Sequence, residues 1–274
     1  MASTSSAGTS KARKSAPGLS GSRGSAPLIV VGFDTATVDT VACAWRDGEV
    51  LHESQLGLSP SGRPRHATGL LSEVEDAAEA AGGWDAVDLI AVGVGPGSFT
   101  GLRIGIATGR GLAASLGLPV RGVCTLDAVA AGIDEAGNSS VPYPPPATKR
   151  NRRMVLPVLD GWRGEVFAAL YAPDGARISE PAVYRPEGLA ARLGALDTPP
   201  SVAGSGAVRF RHELTRGGVR IPDDSDPVHR VAARHVCALA AAGPGEDADG
   251  LAPIYLRPPD AERWLERDAS QRAR

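Results

Sequence analysis

Cysteine, lysine and aromatic residues are all scarce: the 274 residues hold three Cys, and only four each of Phe, Tyr and Trp. Cys43, Cys124 and Cys237 are odd in number and widely spaced, with no CxxC. That speaks against a disulfide framework or a zinc site, and for a reducing compartment. So few aromatics exclude a base-stacking platform for single-stranded RNA. No apolar run approaches the roughly 18–20 residues a membrane helix needs, so the expectation is a cytoplasmic protein without membrane contact. Charge of one sign is missing too: Lys+Arg is 29 against Asp+Glu 31. A chain-wide basic field for nucleic acid is ruled out, although local patches are not. Lysine occurs only at Lys11, Lys14 and Lys149, a bias toward arginine that we attribute to coding. His52, His66, His212, His229 and His235 include no pair at i,i+4, the spacing that sets two metal ligands on one helix face. With no nucleophile elbow and no Cys–His constellation, the reading is no metal site and no catalytic residue in the chain itself.

What is abundant is glycine and proline, 34 and 22 residues, which implies many turns. Residues 1–27 are Ser/Gly/Ala-rich, with four cations and no acid. They bury too little apolar surface to offset ordering entropy and read as a solvated tail, with an organellar transit peptide as the other reading. An apolar run, Leu28–Phe33, then ends at Asp34. Strands follow at Val38–Trp45 and Val50–Leu58, a helix at Ala67–Ala81 with Leu70, Leu71, Val74, Ala77, Ala78 and Ala81 at helical spacing as its apolar side, a strand at Leu89–Val94 and a helix at Thr100–Leu116. A strand at Val120–Val123 and a helix at Leu126–Ile133 complete the module. Residues 134–153 are Pro-rich and then basic, a linker or insertion ending in Lys149-Arg150-Asn151-Arg152-Arg153. That cluster is either a solvated loop or a contact to an RNA backbone by charge alone. The opening pattern returns at Met154–Leu159, again closed by an Asp, Asp160. Strands at Glu165–Tyr171, near Ala176 and at Ser201–Ala203 follow, with helices at Pro186–Leu193 and Val228–Ala242. Two β-β-β-α-β-α modules predict a tandem α/β fold of residues 28–133 and 154–261, the second copy reduced, and 262–274 as a frayed end.

Chemistry concentrates in three places. Gly93–Gly105 (GVGPGSFTGLRIG) is a Gly-rich loop between strand and helix, with Ser98 or Thr100 as N-cap. It is either a tight structural turn or an anion site at a helix N-terminus, and it is not a Walker loop. Gly101, Gly105, Gly109, Ala113 and Gly117 then recur every fourth residue. Four helical glycines cost about 1 kcal/mol each relative to alanine, so something offsets several kcal/mol. A stripe without side chains is a groove, filled either by the chain's own sheet or by a partner's helix. Asp34, Thr35 and Thr37 at the first turn, Asp160 and Gly161 at the second, and the Gly204–Gly206 loop form a degenerate cleft suited to nucleotide, or three ordinary turns.

FDTAT after the first strand, RHATGLL opening the first helix, GVGPGSFTGLRIGIATGRGLAASLGLP and VRGVCTLDAVA resemble the TsaB family. That family supplies the dimerisation subunit of the bacterial tRNA threonylcarbamoyladenosine machinery. LDGWRGEVFAALY resembles the opening of its second half and APIYLRPPDAE its C-terminal signature. The resemblance implies tandem actin/Hsp70-like halves and a non-catalytic scaffold. It implies pairing with the catalytic subunit TsaD, which N6-threonylcarbamoylates adenosine 37 of tRNAs reading codons that start with A. The ATPase TsaE joins, tRNA is reached through the complex, a homodimer forms when the subunit is alone, and any ATP or ADP sits at the complex interface. On the helices that would pair, the expected contacts are Leu70, Val74, Ser98, Phe99, Thr100, Gly101, Arg103, Gly105, Gly109 and Ala113. The alternative is a stand-alone phosphotransferase or peptidase of the same fold, working from Asp34, Asp160 and the Gly loops.

Overall fold

The structure, a computed structural model, describes residues 26–137 and 153–257. The first half runs β1 (Ile29–Asp34), β2 (Thr40–Arg46), β3 (Glu49–Leu56), α1 (His66–Ala80), β4 (Leu89–Gly93), α2 (Phe99–Leu116), β5 (Val120–Val123) and α3 (Thr125–Gly137). Its sheet has the order β3-β2-β1-β4-β5. β1 and β2 form an antiparallel hairpin with Asp34 opposite Val41, whereas β4 lies parallel to β1 and β5 parallel to β4. The second half runs β6 (Val155–Asp160), β7 (Val166–Ala168), β8 (Ala182–Tyr184), α4 (Pro186–Gly194), β9 (Ser201–Ala203), α5 (Ser205–Arg209), α6 (Arg211–Thr215) and α7 (Ala233–Ala241). Its sheet order, β8-β7-β6-β9, repeats the first four positions of the other sheet, with β6 in the role of β1.

Alternation along β1 shows how the layers are built. Val31 and Phe33 face α1 and α2, where Leu70, Val74, Leu102 and Ile106 close a core. Val30 faces the other way, into a second core shared with α3 and α7. That core also takes in Leu159, Phe167 and Ala203 of the second sheet, so α3 and α7 are the apolar layer between the halves. A third core, with Val158, Val166, Leu189 and Leu214, covers the outer face of the second sheet. Helix α7 is late in the chain, yet it lies on the first sheet. Its Cys237 sulfur occupies the space above Gly32, where a Cβ would stand 2.5 Å from it.

Several boundaries differ from the sequence reading. The helix expected over Val228–Ala242 is broken: Pro227–His229 is a 3-10 turn, Arg230 and Ala232 are extended, and only Ala233–Ala241 is α-helical. Pro227 starts the turn at its first position, and Asp226 caps it through the Val228 N–H. The strand expected near Ala176 forms instead at Ala182–Tyr184, because Ala176 and Arg177 are used in folding the 172–177 turn back on itself. Helix α3 continues to Gly137, four residues into the stretch read as linker. The basic cluster except Arg153, the N-terminal tail up to residue 25 and the C-terminal residues from 258 lie outside the described residues.

Candidate functional site

The Gly-rich loop is built as a clasp. Ser98 caps α2 by accepting from the Gly101 N–H at 3.3 Å, as one of the two sequence candidates required. The Ser98 N–H donates to the Ala36 carbonyl at 2.7 Å, and the Thr125 N–H donates to the Gly95 carbonyl at 2.7 Å. The loop therefore ties the β1–β2 turn to the start of α3. Gly97 lies so close to Ala36 that a Cβ would overlap its carbonyl oxygen, which is why the loop carries no side chain there.

Asp34 sits beneath that clasp and is 1% exposed. Its Oδ2 accepts from the Thr125 hydroxyl at 2.7 Å and its Oδ1 from the Ala36 N–H at 2.6 Å. Gly93 packs against the carboxylate with no room for a Cβ. Burial pushes the Asp34 pKa up, and the Thr125 and Ala36 bonds only partly offset that. Thr35 is also fully buried, its hydroxyl donating to the Gly101 carbonyl at 2.8 Å. Thr37 is half-buried on the same turn. The histidine that opens α1, His66, completes this corner: Nδ1 lies 2.8 Å from the Thr40 hydroxyl, and burial holds its pKa below the usual imidazole value.

The equivalent turn of the second half is engaged differently. Asp160 accepts from Arg209 at 2.6 Å and from the Trp162 N–H at 2.9 Å. The Gly161 carbonyl accepts from Arg257. Gly206 packs on the backbone of Leu159 and Asp160, and Gly204 on that of Val158, while the Gly204 N–H donates to His229. The structure thus brings Asp160, Gly161, Gly204 and Gly206 together, but their polar groups are taken up by Arg209, Arg257 and His229. A metal–nucleotide of the kind this fold class implies would need exposed carboxylate and free loop N–H groups. Asp34 is sealed and Asp160 is neutralised by an arginine, so these residues do not fit that group. A half-open hollow of about 570 Å³ does lie at the junction of the halves, lined by Val41, Ser54, Gln55, Glu135, Arg230 and His235 among others. None of the site candidates lines it. On its wall Arg234 bridges Glu53 and Glu135, and His235 with Arg234 pulls the Glu135 pKa down to about 2.

The glycine stripe requires a correction. Gly101, Gly105, Gly109 and Ala113 are all buried by the chain's own first sheet, not open to a partner. A Cβ on Gly101 would overlap the Thr35 carbonyl oxygen, and one on Gly105 the Thr35 hydroxyl. One on Gly109 would stand 2.5 Å from a Val92 methyl. Gly117 is outside the stripe, since it is the left-handed C-cap at φ 67°. Leu70 and Val74 are likewise core residues at 2% and 1% exposure. Of the expected contacts, Phe99, Thr100 and Arg103 are exposed, and Ser98 is half-buried as the cap. The outer faces of α1 and α2 add an apolar residue that periodicity had assigned to the core side, Leu71, at 65% exposure. Sequence reasoning also missed Thr125, Arg209 and Tyr255. The first two are single polar residues, 91 and 49 residues along the chain from the acids they bind. Tyr255 lies in the C-terminal signature and packs on Phe99 with ring centroids 5.4 Å apart.

A family model described as "TsaD: tRNA N6-adenosine threonylcarbamoyltransferase" matches residues 46–191. The chain is 29% identical over 244 residues to the tRNA threonylcarbamoyladenosine biosynthesis protein TsaB of Escherichia coli, covering 84% of this chain and 95% of that protein. It is 35% identical over 178 residues to the uncharacterized protein ML0378 of Mycobacterium leprae, covering 64% of this chain and 40% of that protein. Among solved structures, YeaZ from Pseudomonas aeruginosa superposes with a TM-score of 0.63 at 26% identity, covering 84% of this chain and all of that one. The two sheets of like order, each with an Asp closing its lead strand, define a protein of the actin/Hsp70-like class. Within that class the chain belongs to the TsaB family.

Proposed function

We propose that this chain is a non-catalytic subunit for N6-threonylcarbamoylation of adenosine 37 in tRNA, and that it works by pairing with the catalytic subunit TsaD. Its similarity along nearly the whole length of the E. coli TsaB supports the process. The observation that carries the scaffold reading is the sealing of Asp34: the acid that ends the lead strand is consumed in holding α2 and α3. The partner face in this reading is the outer side of α1 and α2, where Leu71 and Phe99 are 65% and 42% exposed and Arg103 lies over the Phe99 ring. The same face serves a homodimer when TsaD is absent. TsaE and tRNA join through the complex, and no nucleotide binds between the halves of this chain.

Co-purification with TsaD tests this, followed by a tRNA-modification assay with and without the chain. Leu71→Arg and Phe99→Asp each remove an exposed apolar contact without touching the core. Each should weaken the complex by about 30-fold, as expected for a hot-spot residue near 2 kcal/mol. Undiminished affinity in both variants would move the interface elsewhere. Turnover of Mg-ATP by the chain alone would instead favour the phosphotransferase reading.

A further inference from the structure

The segment Leu251–Arg257 leaves the first half and ends on the second. Leu251, 2% exposed, fills the space left by two glycines: Cβ atoms on Gly109 and Gly122 would lie 3.4 and 3.2 Å from its methyls. The Leu251 carbonyl accepts from Arg110 at 2.6 and 3.0 Å. Three residues on, the Ile254 N–H donates to the Val94 carbonyl at 2.8 Å, beside the Gly-rich loop. Tyr255 then meets Phe99. Finally Arg257 crosses to the β6–β7 turn. It donates to the Gly161 carbonyl and, at 3.5 Å, to that of Trp162, pairs with Glu165 at 2.9 Å, and lies 5.2 Å above the Phe167 ring.

The turn that Arg257 holds is strained. Trp162 and Arg163 both have left-handed backbones, φ 55° and 56°, which costs non-glycine residues about 1–2 kcal/mol each. Two such residues in succession persist only where their surroundings fix them, and Arg257 grips the carbonyls of Gly161 and Trp162. We propose that Leu251–Arg257 is a strap that locks the two halves together, with Arg257 as a clasp that keeps the 161–165 turn in its strained form. The strap joins the β4–α2 loop of the first half to the turn that follows Asp160 in the second, through a side chain of the same polypeptide. The clasp belongs to the isolated chain and does not depend on the pairing with TsaD.

Hydrogen–deuterium exchange on the full chain tests it. In Arg257→Ala, the Gly161 and Glu165 amides, which now bond across the turn, should exchange at least about tenfold faster, while β1 and β2 amides keep their protection. Arg163→Gly removes one strained residue, so the turn then needs the clasp less. In the Arg163→Gly background, Arg257→Ala should accelerate the same amides by less than about threefold. Unchanged turn protection in Arg257→Ala, a uniform rise across both halves, or an equal effect in the Arg163→Gly background would each overturn the proposal.

Discussion

Alanine at three positions of α2 separates packing on the chain's own sheet from an open groove. Each Gly→Ala change gains about 1 kcal/mol of helix propensity. At Gly111 nothing lies within 4 Å of the new methyl, so the gain is realised almost whole. Its net effect is about 0.5–1 kcal/mol of stabilisation, or a Tm rise of about 1–4 °C for a chain of this size. At Gly101 the methyl lands on the Thr35 carbonyl oxygen, a main-chain atom at the end of β1 that has nowhere to go. Overpacking costs about 1–3 kcal/mol, and loss of the Thr35–Gly101 bond about 1 more. Set against the propensity gain, Gly101→Ala should destabilise by about 1–3 kcal/mol. Gly109→Ala meets a stiff Val92 methyl and loses no hydrogen bond, so its cost should be about 0–2 kcal/mol. Urea midpoints on the purified chain without partner give the comparison directly. A Gly101→Ala chain as stable as wild type, alongside a stabilised Gly111→Ala, would refute the inward-facing stripe and return it to a partner.

Asp34→Asn should alter how stability depends on pH. The folded pKa of Asp34 is raised, so its contribution is full below 3.8 and is lost as pH rises through the folded value. Wild type should therefore lose ground relative to Asp34→Asn above about pH 4, and parallel urea midpoints across the series would contradict the burial argument. Glu135 has the opposite sign: its folded pKa is lowered from 4.5 to about 2, so its stabilisation is present above 4.5 and vanishes as pH falls through about 2. Glu135→Gln should cost about 1 kcal/mol at neutral pH, discounted for partial exposure, and its midpoint should converge with wild type near pH 2. A constant gap at all pH values would assign the effect to packing.

The fold was legible because the apolar patterns are strong and local. β1 and β6 are unbroken apolar runs ending at Asp34 and Asp160, and the Gly-rich loop gives away the start of α2. What the sequence could not decide was direction. The Gly101–Gly109 stripe is equally consistent with a sheet or a partner above it, and only the Thr35 and Val92 positions settle which. The same ambiguity put Leu71 on the wrong side, since a helix with both Leu70 and Leu71 has two defensible apolar faces. The break before α7 was hidden because Val228, Val231 and Val236 all read as periodic, while Pro227 and the Asp226 cap bound only a single 3-10 turn. The candidate site was readable as a set of turns but not as a set of bonds. The partners of its polar groups, Thr125, Arg209 and Arg257, come from 49 to 96 residues away.

Those partners also explain why two copies of one module reach different ends. Asp34 and Asp160 occupy the same place, the last residue of the lead strand. In the first half the following β4–α2 loop folds over the acid, and a hydroxyl on α3 meets it, so the carboxylate is sealed and its charge disfavoured. In the second half the loop after β9 is shorter and leads to a five-residue helix, whose last residue, Arg209, reaches the acid from the open side. Asp160 instead forms an ion pair with that arginine. One half buries its acid to hold two helices and the other pairs its acid at the surface. The same position in the two halves thereby serves structure in both, and among the described residues the outer face of α1 and α2 keeps Leu71, Phe99 and Leu116 exposed.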